Sequence, residues 1–126
     1  MGTKTKIMII DDSFTNRVLL KAVLDDLDIN VIEVHSGLKA LKILDEVNPD
    51  IILLDMCMPQ MNGLDFLKEL KNRGKNIPVI IISVLDEQNY IKQAFQHGAS
   101  EYLLKPFEVN KLLNMISNYT EFELSN

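Results

Sequence analysis

Short runs of isoleucine, valine and leucine alternate along the chain with longer segments in which apolar residues recur every three or four positions. The runs are Ile7-Met-Ile-Ile10, Val31-Ile-Glu-Val34, Ile51-Ile-Leu-Leu54, Val79-Ile-Ile-Ile82 and Tyr102-Leu-Leu104. Unbroken β-branched and apolar runs of this length predict strands covered on both faces. The second run alternates more and the fifth is short, which places both nearer the sheet edges. Between the runs, Phe14, Val18, Leu20, Val23, Leu24 and Leu27 fall at helical spacing. So do Leu38, Leu41 and Leu44, then Leu64, Leu67 and Leu70 with Phe66 beside them, then Ile91, Ala94 and Phe95. A last helix carries Val109, Leu112, Leu113 and Ile116.

The punctuation agrees with this scheme. Ser13 is placed to cap the first helix and Asp86 the fourth, and Gly98 follows the fourth as a C-terminal glycine. Pro49 and Pro78 precede the third and fourth strands. Five strand–helix units predict an α/β fold: a doubly wound, five-stranded parallel sheet with right-handed crossovers and helices on both faces.

Composition narrows the function. The 126 residues are 47% hydrophobic and 25% charged, which suits one globular domain with a core of its own. The whole chain, 1–126, reads as a single domain with a core of about 6–119 and a short, ragged tail. A net charge of −5 argues against nucleic acid or an anionic membrane as the main partner. Cys57 is the only cysteine, and His35 and His97 are the only histidines, so neither an internal disulfide nor a zinc finger is available. No apolar run approaches the roughly 18 residues of a membrane span. The short run at 7–10 ends in Asp11-Asp12, unlike a signal peptide, and Lys6 stands where a myristoylation motif needs Ser or Thr. The expected location is cytoplasmic.

In a sheet of this kind the ligand site lies beyond the carboxyl ends of the strands. Strand one ends in Asp11-Asp12, strand three in Asp55, strand four in Ser83, and strand five leads into Lys105-Pro106. Each has an ordinary structural explanation alone: acids at a helix start, a strand exit, a turn, the approach to a helix. Their conjunction does not. Three carboxylates, a hydroxyl and an ammonium would converge on one rim, on strands about 4.8 Å apart. Carboxylates packed together raise one another's pKa unless a cation intervenes. Oxygen ligands favour a hard ion, and Mg²⁺ needs few protein ligands. Lys105 supplies a point charge for a phosphoryl oxygen and Ser83 a donor that can reorient.

These residues stand in four stretches: Ile9-Ile10-Asp11-Asp12-Ser13, Leu53-Leu54-Asp55-Met56-Cys57-Met58-Pro59-Gln60-Met61-Asn62-Gly63, Ile82-Ser83, and Tyr102-Leu103-Leu104-Lys105-Pro106-Phe107. All four in order, each at a strand end, make the chain resemble the receiver domain of two-component response regulators, of the single-domain chemotaxis type. The resemblance runs from about Lys6 to Tyr119. It implies the flavodoxin-like strand order 2-1-3-4-5 and a phosphorylation-dependent switch, a signalling phosphoacceptor and not an enzyme acting on a separate substrate. It implies that Asp55 accepts a phosphoryl group from a phosphohistidine on a histidine kinase or histidine phosphotransfer protein. It further implies Mg²⁺ held by Asp12, Asp55 and the backbone carbonyl of Cys57, with Asp11 assisting. Lys105 would neutralise the phosphoryl group, and its bond to Pro106 is expected to be cis. Ser83 would swing toward the acyl phosphate, and Tyr102 would act as an aromatic switch. A downstream protein would read the face made by the fourth helix, fifth strand and fifth helix.

Two departures from the family pattern matter. Val84 stands where a small residue is usual and is expected to narrow the approach to Asp55. Cys57 and Leu85 occupy the positions flanking the attacking water and are poor water-orienting groups. Cys57 reads as a packing or backbone-ligand residue whose thiolate nearby carboxylates suppress, and Met56, Met58 and Met61 read as core and loop filling. An aspartate-nucleophile phosphatase of related topology would need a second acid where Cys57 stands. Nucleotide binding lacks both G-x-G-x-x-G and P-loop after strand one.

Overall fold

The computed structural model describes residues 4–25 and 27–120. Five strands, β1 (Thr5–Ile10), β2 (Ile29–Val34), β3 (Ile51–Leu54), β4 (Val79–Ser83) and β5 (Glu101–Leu104), form one sheet. All pairs are parallel and the order is β2-β1-β3-β4-β5, so β2 and β5 are the edges, as their less continuous apolar runs indicate. The helices are α1 (Phe14–Leu24), α2 (Gly37–Val47), α3 (Gly63–Asn72), α4 (Gln88–Gln96) and α5 (Val109–Tyr119). Among the described residues no helix is long and apolar enough to cross a membrane. The expected ragged tail lies mostly outside the described residues.

The two-residue period of a strand sorts its side chains to opposite faces, and the two cores follow from it. Met8, Ile10, Ile52, Leu54 and Ile81 pack under α2, α3 and α4 against Leu44, Phe66, Leu67 and Ala94. Ile7, Ile9, Leu53, Ile80 and Ile82 pack under α1 and α5 against Leu20, Leu24, Leu112 and Ile116. Helical spacing overstated burial in places: Phe14 is 70% exposed, and Val18, Leu38, Phe95 and Val109 are also exposed. These helices cover the sheet with a narrower stripe than their apolar content suggests.

Ser13, Ser36 and Asn62 cap α1, α2 and α3, each accepting a hydrogen bond from a backbone amide three residues on. The expectation that Asp86 caps α4 is corrected. The cap position is Glu87, one residue later, and its side chain makes no capping bond. Asp86 stands one residue too far upstream for the role. Gly98 follows α4 with φ of 103°, a value suited to glycine. Gly63 opens α3 against the chain leaving β3, where a Cβ would meet the Asp55 carbonyl oxygen at 2.8 Å. This close approach sets the path of the loop carrying Met56 and Cys57.

Candidate functional site

The register brings the predicted residues to one end of the sheet. Ile10 pairs with Leu54, so Asp11 and Asp55 leave neighbouring strands at the same level, and the Asp55 amide donates to the Ile10 carbonyl at 3.0 Å. Ser83 pairs with Leu104, and the Lys105 amide donates to the Ser83 carbonyl at 2.9 Å. Asp11, Asp12 and Asp55 each present a carboxylate oxygen within 4.8 Å of the others. Asp11 is buried (3% exposed), Asp55 partly so, and Asp12 is open to solvent.

Backbone donors fix two of these carboxylates. The Ser13 amide donates to Asp11 Oδ1 at 2.9 Å and the Cys57 amide to Asp55 Oδ1 at 3.2 Å. Lys105 Nζ lies 3.9 Å from Asp11 Oδ2, and the Lys105-Pro106 bond is cis as expected. Burial pushes the Asp55 carboxyl up to about 6, and the Asp11 and Asp12 charges push the same way. The Cys57 amide and Lys105 oppose the shift. An acid cluster that one lysine does not neutralise, built from oxygen donors with an open side at Asp12, fits a hard divalent cation.

Ser83 is fully buried, and its Oγ accepts a hydrogen bond from the Leu85 amide at 3.1 Å. Tyr102 lies against the α2–α3–α4 core, and its hydroxyl donates to the Leu85 carbonyl at 2.8 Å. Burial raises the Tyr102 pKa, while the Ser83 hydroxyl acts in the opposite sense. The Leu85 backbone, through the amides on either side of its Cα, therefore joins Ser83 to Tyr102. The Cys57 thiol is raised, first by burial and then by the Asp55 charge, in the direction expected. Met56 and Met58 are buried, and Met61 packs against the core. Val84 is 66% exposed.

Two residues of the site went unrecognised in the sequence. Arg17 Nη1 donates to the Asp11 carbonyl at 2.7 Å, and its Nε lies 3.5 Å from Glu33 Oε1. The signals were an arginine one turn into the helix after the acid pair and a lone acid inside the edge strand β2.

A family model for the response regulator receiver domain matches residues 7–117. The chain is 35% identical over 112 residues to the chemotaxis protein CheY of Listeria monocytogenes, covering 88% of this chain and 94% of that one. It is 34% identical over 114 residues to sporulation initiation phosphotransferase F of Bacillus subtilis, covering 90% and 92%. A solved receiver domain from Clostridium thermocellum superposes with a TM-score of 0.84 at 32% identity, covering 91% of this chain and 93% of that one. With the strand order, the acid cluster and the position of Lys105 all in agreement, the chain belongs to the response regulator receiver domain family of two-component signalling, with a chemotaxis-regulator-like fold.

Proposed function

We propose that this receiver domain is a phosphorylation switch whose phosphoacceptor is Asp55. The observation that carries the reading is the convergence of Asp11, Asp12 and Asp55 within 4.8 Å at the sheet's carboxyl end, with Lys105 beside them. Asp55 Oδ1 is engaged by the Cys57 amide, which leaves Oδ2 to attack phosphorus. A phosphohistidine of a histidine kinase or histidine phosphotransfer protein is the donor. Its N–P bond breaks as the Asp55 O–P bond forms, and the imidazole departs with its electron pair and takes up a proton. The residues for Mg²⁺ are Asp11, Asp12, Asp55 and the Cys57 backbone carbonyl. Bound there, the ion supplies positive charge to the phosphoryl oxygens.

Phosphoryl transfer is governed by positioning and electrostatics. Lys105 moves from Asp11 toward the added phosphoryl oxygens, a charge-assisted contact stronger than its present 3.9 Å pairing. Ser83 releases the Leu85 amide and donates its hydroxyl to the acyl phosphate. Tyr102, tied to the carbonyl of the same residue, then loses its fixed partner geometry and repositions. Tyr90 and Phe95 on α4 and Leu104 on β5 are exposed apolar side chains. They form part of the α4–β5–α5 face that a downstream protein reads by differential affinity for the two states. The domain acts as a signalling phosphoacceptor, not as an enzyme with a separate substrate.

Incubation with acetyl phosphate and magnesium chloride tests this. Intact-mass analysis should show one phosphoryl group on the wild type and none on Asp55→Asn. Stoichiometric labelling of the Asn variant would falsify the assignment.

A further inference from the structure

We propose that Arg17, anchored by Glu33, is a positioning residue that holds the Asp11–Asp12 peptide so that both carboxylates face Asp55. The inference deepens the function proposed above and rests on that site being a cation site.

The argument begins where β1 stops. In a strand, a residue's N–H and C=O point to the same neighbour. The Asp11 amide donates to Val34 of β2 at 3.1 Å, so its carbonyl also points toward β2, beyond the last rung of the ladder. A carbonyl there must find another donor or water. Arg17 is that donor. It lies one turn into α1, and long helical side chains turn back toward the helix N-terminus, which brings the guanidinium over the Asp11–Asp12 turn. The bond is 2.7 Å, and the Arg17 side chain is only 14% exposed.

Glu33 holds the other side of the fork. It pairs with Ile9, whose side chain faces α1 and α5, so the Glu33 carboxylate rises on the α1 face of an edge strand. One oxygen takes Arg17 Nε at 3.5 Å and the other Lys21 Nζ at 3.6 Å. Phe14 lies alongside, its ring centroid 5.8 Å from the guanidinium carbon. Because Glu33 offsets the positive charge, Arg17 acts by orienting the peptide more than by competing with a cation. Arginine's planar fork serves two acceptors at once, which a lysine ammonium on a flexible stem does poorly.

Asp12 depends on this restraint most. Asp11 is fixed through its carboxylate by Ser13, whereas Asp12 is exposed, and the peptide preceding it sets its direction. Freed from Arg17, that peptide can rotate and carry the Asp12 carboxylate out of the cluster.

The test titrates magnesium chloride into the wild type, Arg17→Met, Arg17→Lys, Glu33→Gln and Lys21→Met, following amide NMR shifts and thermal unfolding in parallel. Methionine keeps a long stem and comparable helix propensity. Arg17→Met should weaken magnesium binding about tenfold, the scale at which groups orienting metal ligands act. Arg17→Lys should recover part of the loss, and Glu33→Gln should show a smaller loss. Lys21→Met breaks a contact to the same Glu33 without touching Asp11 and should leave the affinity unchanged. Hydrogen exchange at the Asp12 and Ser13 amides, measured without metal, should quicken in Arg17→Met and not in Lys21→Met. Wild-type affinity in Arg17→Met, or an equal loss in Lys21→Met, overturns the proposal. If the wild type itself fails to bind magnesium, the cation reading falls, and the metal-free exchange comparison alone decides the role of Arg17.

Discussion

Asp55 carries a folding cost that comes from its burial beside two other carboxylates. Its carboxyl sits at about 6 in the folded protein, raised from 3.8, so the folded state holds the proton more tightly than the unfolded chain. The associated stability is present in full below the unfolded value and is lost as pH rises through about 6. At neutral pH the ionised group therefore opposes folding, by about 1–2 kcal/mol once its partial exposure to solvent is considered. Asp55→Asn should raise the Tm at neutral pH and change it little near pH 4, and magnesium chloride should move the wild type in the same direction. Equal Tm values for wild type and variant at neutral pH would contradict the burial argument. In the proposed switch, the lifetime of the phosphoryl group on Asp55 is set by its neighbours. Hydrolysis needs a water in line with the Asp55 oxygen, and Cys57 is a weak hydrogen-bonding group while Leu85 offers none from its side chain. Self-dephosphorylation is expected to be slow. Cys57→Asn with Leu85→Glu should accelerate single-turnover decay about tenfold, or ~1.4 kcal/mol of barrier. Fast wild-type decay that the substitutions leave unchanged would mean other groups place the water.

Among the elements, α3 and α4 are built to different tolerances. Asn62 caps α3 and Gly63 lets it approach the strand exit so closely that an added methyl meets the Asp55 carbonyl at 2.8 Å and the Met56 Cα at 2.9 Å. Neither atom belongs to a flexible side chain. Gly63→Ala should cost about 1–3 kcal/mol, as overpacking does, and should slow phosphorylation as well. Chemical denaturation and acetyl-phosphate labelling measure the two effects separately, and normal values of both would show that the loop yields freely. By contrast, α4 has no side-chain cap, and Ala94 is its only buried residue. Glu87→Ser supplies the missing acceptor and should add about 1 kcal/mol. An unchanged midpoint in denaturant would mean that the α4 start does not adopt the cap geometry.

At the scale of the molecule, the sheet separates two apolar cores and gathers the charged chemistry at its carboxyl end. The route outward from that end is short: Ser83 Oγ to the Leu85 amide, the Leu85 carbonyl to the Tyr102 hydroxyl, and Tyr102 to the core beneath α4. A phosphoryl group brings about −2 of charge and three acceptor oxygens, enough to bias a loop with two arrangements. Titration with a phosphate analogue and magnesium should shift amide resonances at Leu85, Tyr102 and along α4. Shifts confined to the loops bearing Asp12 and Cys57 would show that the Leu85 link does not transmit.

The five strands and their edges were legible because apolar continuity records burial on both faces, and Ile7–Ile10 and Ile51–Leu54 are buried throughout. Asp11, Asp12, Asp55, Ser83 and Lys105 were legible because strand ends in a parallel sheet share one rim. The sequence left the start of α4 open by one residue, since Asp86 and Glu87 both resemble a cap and only the backbone path chooses between them. It also could not tell Phe14 and Val18, which face solvent, from Leu20 and Leu24, which face the sheet. Periodicity marks an apolar stripe but not how much of its width the sheet covers. Arg17 and Glu33 were hidden for a stronger reason. Their meeting at the Asp11 carbonyl depends on strand register, on the face Glu33 takes beside Ile9, and on the backward lean of a helical side chain. Local pattern fixes which elements form, whereas contacts between residues distant in sequence exist only once the sheet is assembled.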